Sequence, residues 1–159
     1  MHKYIFVTGF LLSSFFASAQ SKIIDRKVNS LLKEMTLQEK IGQLNQYSGE
    51  NWVTGPIVIK PNFQSDIQKG LVGSMLNILG TKYTRQYQDL AMQSRLKIPL
   101  LFGQDVVHGY KTTFPIPLAE AASWDLEAIT LSARIAATEA SASGIHWTFA
   151  PMVDISRDA

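Results

Sequence analysis

The strongest constraint in this sequence is an alternation. From residue 63 onward, short apolar runs and helix-periodic segments follow one another in turn. Phe63 to Lys69 reads as a short helix ended by Gly70, and Val72 to Ile78 reads as a strand. Tyr83 to Arg95 is amphipathic, with Tyr83, Tyr87, Leu90, Ala91 and Leu96 on its predicted inner side. Ile98 to Gly103 is an apolar strand, followed by a long loop. Leu126 to Ser143 is an Ala-rich helix, opened by Ser123 or Asp125 and closed by Gly144. Ile145 to Ile155 reads as a third strand. Strands that alternate with helices at this spacing predict a parallel sheet covered by helices, and strands apolar on both faces fit a buried parallel sheet.

A (β/α)8 barrel and an open doubly wound sheet both satisfy that pattern. Two features favour the barrel. Asn77, Asp105 and the segment Asp154 to Asp158 follow strand ends, the rim where barrel enzymes keep their chemistry. No glycine-rich phosphate loop follows a strand either, because Gly70-Leu71-Val72-Gly73 precedes its strand. The expected fold class is therefore α/β, the N-terminal part of a (β/α)8 barrel, incomplete in this chain. A whole barrel takes about 250 residues, so the chain supplies roughly two to four βα units. It is expected to be a piece of a longer protein, unstable alone because its sheet edges stay open.

The region before residue 63 is less regular. Asp25 to Met35 carries an apolar stripe of Ile24, Val28, Leu31, Leu32 and Met35. Thr36-Leu37-Gln38-Glu39 is a capping box, with the helix expected to continue from Lys40 to Gln46. Ser48 to Pro61 reads as a loop with one short strand at Ile57-Val58-Ile59. At the very start, His2-Lys3 precedes an apolar run from Tyr4 to Phe16, and Ala17-Ser18-Ala19 fits a small-x-small cleavage site. Residues 1–19 are therefore expected to be a secretory signal peptide, with 20–159 the start of the barrel domain. The run is too short for a spanning helix of ~20 residues.

Composition excludes several classes. There are no cysteines, which removes disulfides, thiolate zinc sites and a cysteine nucleophile from the segment. The net charge is +2, from 15 basic and 13 acidic residues without a basic block. Nothing therefore asks for nucleic acid or an anionic membrane.

Two clusters could carry chemistry. In the first, Leu100 to Tyr110, Asp105 ends a buried strand where a carboxylate can accept hydrogen bonds from two vicinal hydroxyls, as a sugar offers. The same residue type also caps turns, and position alone leaves both readings open. His108 lies beside Gly109 without a second histidine at metal-ligand spacing, so it reads as a residue that orders the loop or supports Asp105. In the second, His146 to Asp158, Arg157 suits clamping hydroxyls or holding a carboxylate, while Asp154 and Asp158 read as members of an ion network. Trp52, in the early loop, is best placed of the tryptophans to meet a ligand. Trp124 could stack on a sugar, and Trp147 reads as core. Glu120, Glu139 and Asp125 read as caps or solvated positions, and Ala136 to Ala142 as close helix packing.

These segments resemble the N-terminal region of family 3 glycoside hydrolases, in particular periplasmic β-glucosidases. Leu31 to Leu44 resembles the family's opening helix and Gly73 to Asn77 its first barrel strand. Arg95 to Asp125 resembles its signature block, and Ile145 to Asp158 the strand ending in its Arg-Asp motif. The resemblance implies a retaining β-glycosidase acting on β-linked glucosides or oligosaccharides, exported to the periplasm, with no cofactor and no metal. It implies that Asp105 and Arg157 bind the sugar of the −1 subsite. The nucleophile and acid/base of the family fall beyond this segment, which is then expected to be inactive by itself. Other expectations stay open: a β-xylosidase or N-acetylglucosaminidase of the same family, a non-catalytic exported carbohydrate-binding protein, or an unrelated barrel enzyme.

Overall fold

The computed structural model describes residues 22–49 and 63–153. The chain divides into two compact units, 1–40 and 41–159. In the first, α1 (residues 22–34) exposes the stripe Ile24, Val28 and Leu32. The capping box that follows forms as expected. The Thr36 N–H and hydroxyl donate to Glu39 Oε2 at 2.8 and 2.9 Å, and the Glu39 N–H returns a bond to Thr36 Oγ1 at 3.2 Å. The helix it opens, α2, spans Leu37–Gly42.

The second unit holds β1 (Gln46–Ser48), α3 (Phe63–Gln68), β2 (Ser74–Leu76), α4 (Thr81–Ala91), β3 (Leu101–Gln104), α5 (Pro117–Ser123), α6 (Leu126–Ala142) and β4 (Trp147–Thr148). All three strand pairs are parallel, and the order is β1-β2-β3-β4. Two observations decide between the candidate architectures. A doubly wound sheet reverses its strand order at a switch point, and this one does not. A doubly wound sheet also carries helices on both faces, whereas one core gathers Ile67 of α3, Tyr87 and Ala91 of α4 and Ala136 and Ala140 of α6 with Met75 and Phe102. The register explains this. Tyr47, Met75 and Phe102 are Cα partners on one face. On the other face, Leu101 stays 51% and Trp147 45% exposed. Sequential parallel strands with helices on one side are the start of a barrel wall, whose inner face is the one left open here.

Several boundaries differ from the sequence reading, for physical reasons. The helix expected to run to Gln46 stops at Gly42, and Gln46–Ser48 joins the sheet. Gly73 makes that possible: a Cβ there would lie 2.1 Å from the Gln43 carbonyl oxygen, so the two segments meet backbone to backbone. Tyr47 then ties β1 to α3, its hydroxyl donating to Asp66 Oδ2 at 2.9 Å. The inner stripe of α4 runs through Thr84, Tyr87 and Ala91, while Tyr83 faces outward. A threonine serves there because its hydroxyl is satisfied locally, donating to the Thr81 carbonyl oxygen at 3.3 Å. The loop after β3 contains α5, with Pro117 in its first turn. The third strand of the sequence reading contributes only Trp147–Thr148 to the ladder within the described residues. The expected strand at Ile57–Ile59 lies outside them.

Candidate functional site

Asp105 takes its place from β3. Leu100 and Phe102 are buried in the helix-covered core, so Leu101 and Gly103 belong to the open face. Gly103 lies close under the Phe149 ring, which a Cβ there would approach to 3.1 Å and push aside slightly. At the strand end, the Gln104 carbonyl oxygen accepts from Phe149 N–H at 3.2 Å and Val106 N–H at 3.0 Å. Val106 is buried immediately afterwards. Asp105 is thus held between a doubly bonded peptide and a core side chain. Its own side chain is exposed, and no described residue hydrogen-bonds to it. The turn-cap reading therefore has no bond behind it. A free carboxylate at the C-terminal end of a barrel strand remains. Beside it, Gln104 Oε1 is buried without a hydrogen-bond partner among the described residues.

The chain after Asp105 folds into a closed turn. Phe114 N–H donates to the His108 carbonyl oxygen at 2.8 Å, and Gly109 and Thr113 form an antiparallel bridge. Gly109 has φ +105, and a Cβ on it would sit 1.9 Å from the Thr112 carbonyl oxygen, so no other residue fits. His108 is exposed and contributes its carbonyl to the turn, in keeping with a role in ordering the loop.

Glu139 differs from expectation. It does not cap its own helix, and although it stays partly exposed its carboxylate is bonded to the loop. Its Oε2 accepts from the backbone N–H groups of Lys111 and Thr112, both at 2.8 Å, and its Oε1 from the Thr112 hydroxyl at 2.7 Å. The Thr112 N–H bond holds its carboxyl below the usual glutamate range, helped by the Thr112 hydroxyl and the Lys111 N–H and charge, against a smaller opposing effect of burial. The sequence signal for this is no more than an acidic residue in the small-residue C-terminal part of α6.

The remaining candidates separate. Asp125 is the N-cap of α6, its Oδ1 accepting from Glu127 and Ala128 N–H at 3.1 and 3.0 Å. Trp147 is not core: it lies on the open face against Phe149, ring centroids 4.8 Å apart. Trp124 is 90% exposed at the end of α5, with φ 54. Glu120 sits in the first turn of α5. Trp52, Asp154, Arg157 and Asp158 lie outside the described residues. A pocket of about 720 Å³ lies between the loop, α6 and β4, lined by Val107, His108, Phe114, Ala133, Ala137 and His146 among others. Asp105 does not line it, so pocket and carboxylate are separate features. Among the described residues no group of three His, Asp or Glu side chains could hold a metal ion. No helix among them is long and apolar enough to cross a membrane.

Comparison with known proteins agrees with this geometry. The family described as "Glycosyl hydrolase family 3 N terminal domain" matches residues 36–159. A periplasmic beta-glucosidase of Salmonella typhimurium is 47% identical over 135 residues, which cover 84% of this chain and 17% of that protein. A lysosomal beta glucosidase of Dictyostelium discoideum is 30% identical, covering 82% of this chain and 19% of its own length. Among solved structures, a beta-glucosidase from Listeria innocua in complex with isofagomine superposes with a TM-score of 0.74 at 40% identity, over 84% of this chain and 19% of that one. The chain therefore spans less than a fifth of the length of each of these relatives. With its sequential parallel strands, one-sided helix layer and carboxylate at a strand end, the chain belongs to glycosyl hydrolase family 3, within that family's N-terminal barrel domain.

Proposed function

We propose that this chain forms the start of the catalytic barrel of an exported β-glucosidase, and that Asp105 and Arg157 grip the sugar ring in the −1 subsite. The observation that carries the reading is Asp105. Its backbone is fixed at the C-terminal end of a barrel strand and its exposed carboxylate has no hydrogen-bond partner among the described residues, in a segment 47% identical to a periplasmic beta-glucosidase. A carboxylate has only acceptors, so it suits two adjacent sugar hydroxyls and does not suit a carbonyl. Its bonds to those hydroxyls tighten as the ring acquires oxocarbenium character, which places the gain in the transition state.

Hydrolysis with retention needs a nucleophile and an acid/base about 5–5.5 Å apart. In this reading both come from chain beyond residue 159, and the present segment supplies binding groups only. Residues 1–19 serve as the signal peptide, and the mature protein works in the periplasm, as the name of the Salmonella relative supports.

The test is hydrolysis by the full-length protein of aryl β-D-glucoside, β-D-xyloside and N-acetyl-β-D-glucosaminide. Glucoside turnover with retention supports the reading. Preference for another glycoside keeps the family and changes the specificity. A folded protein that hydrolyses none of the three overturns it.

A further inference from the structure

We infer that Glu139 is a positioning residue, a carboxylate on α6 that sets the loop carrying Asp105 and His108 and so tunes the sugar site from the helix layer. The inference rests on the function proposed above. Its structural basis is the closed circuit from Asp105 to Phe114.

Several peptides of that circuit are fixed. The N–H groups of Lys111 and Thr112 are held by one carboxylate oxygen, and the Thr112 hydroxyl by the other. The Thr112 carbonyl oxygen presses into the space that Gly109 leaves empty. The Phe114–His108 bond closes the turn, and Val106 anchors its start in the core. Two consecutive N–H groups aimed at one acceptor form a small anion nest, and charge-assisted bonds of this kind are about twice as strong as neutral ones. A shortened side chain at 139 leaves both N–H groups to water and lets the loop relax, and a neutral one holds them more weakly.

Glu139 is also dispensable for packing. The buried stripe of α6 runs through Ser132, Ala136 and Ala140, and Glu139 lies off it. Its loss therefore leaves the helix on the sheet and changes the loop. Displacements of about 1 Å in a binding group cost up to about a hundredfold in rate, and Asp105 is the group at the root of this loop.

The experiment uses the full-length protein with Glu139→Ala, Glu139→Gln and Thr112→Val. It reads amide hydrogen exchange together with kcat and KM on an aryl β-D-glucoside. Glu139→Ala is expected to lose exchange protection at residues 108–114 while Leu101–Gln104 keeps it, and to lower kcat/KM about 10- to 100-fold, with the loss largely in kcat. Glu139→Gln, whose amide oxygen still accepts one N–H, recovers part of that loss. Thr112→Val falls between wild type and Glu139→Ala, and the double variant is no worse than Glu139→Ala alone, because the two groups act as one unit. If Glu139→Ala does not fold, the other two single variants carry the same comparison. Protection lost with kcat/KM unchanged overturns the positioning role, and protection unchanged overturns the clamp itself. A wild-type protein without activity on any aryl β-glycoside sinks the proposed function, and the exchange measurement still decides the clamp.

Discussion

Two strand-to-helix connections leave the same edge of the sheet and are built differently. The one from β2 to α4, residues 77–80, is a bare turn. Asn77 and Gly80 take positive φ, 60 and 86, and α4 starts without a side-chain cap. The one from β3, residues 105–116, is long, closed on itself, and held by a carboxylate from a later helix. The short turn needs only local conformational freedom. The long loop carries exposed polar groups to the rim of the sheet, and a loop of that length stays in one conformation only if something outside it holds it. In this molecule the loop and the acceptor that holds it come from different parts of the sequence.

The contrast can be broken at five residues. The largest effect is expected from Asp105→Ala. Losing two hydrogen bonds to a charged acceptor, about 1.5–3 kcal/mol each, should lower kcat/KM of the full-length protein by roughly a thousandfold at unchanged melting temperature. Activity within a few-fold of wild type would remove Asp105 from the sugar site.

Next come the two glycines. Gly109→Ala forces a Cβ into the Thr112 carbonyl at positive φ and should cost about 2–3 kcal/mol in thermal or denaturant unfolding. Gly80→Ala meets no atom within 4 Å, so only the strain of its backbone (φ 86, ψ 148) remains, and it should cost less, about 1–2 kcal/mol. Equal losses at the two sites would mean that the long loop is no more tightly built than the short one.

Asp125→Ala removes the cap that opens α6, the helix bearing Glu139, and should cost about 1 kcal/mol. The smallest effect is acidification. Glu139 has its carboxyl lowered in the folded protein. The stability it gives the loop is therefore fully present above the ordinary glutamate range and is lost as pH falls through the lowered folded value. Exchange protection at Lys111 and Thr112 should fade in acid before that of β3 does. Simultaneous loss would show that the clamp has no titration of its own.

Much of the fold was legible in the sequence because it rests on periodicity. Leu100 and Phe102, Tyr87 and Ala91, and Asp125 all announced their places by spacing or residue type. β1 was hidden because Gln46-Tyr47-Ser48 has no apolar run, and its pairing depends on Gly73 being small rather than on its own side chains. Thr84 was hidden because a polar residue was not expected on an inner stripe. Trp147 reads as core because it falls inside an apolar strand, yet its partner in the register is Gly103 on the open face. Within the site, Asp105 could be found from its position after a strand. Glu139 could not, since nothing in a linear sequence marks a contact between residues 112 and 139 when neither belongs to a shared pattern.

The buried small-residue stripe of α6 and the carboxylate beside it have a consequence for anyone recombining members of this family. The loop of this chain, transplanted alone, brings its backbone donors but not the acceptor that receives them, which lies on a helix. The unit of inheritance that keeps its shape is thus the whole stretch from Asp105 through Glu139. Chimeras joined inside it should lose loop order where the other parent's helix offers no acceptor at the place of Glu139, and chimeras joined on either side of it should keep it.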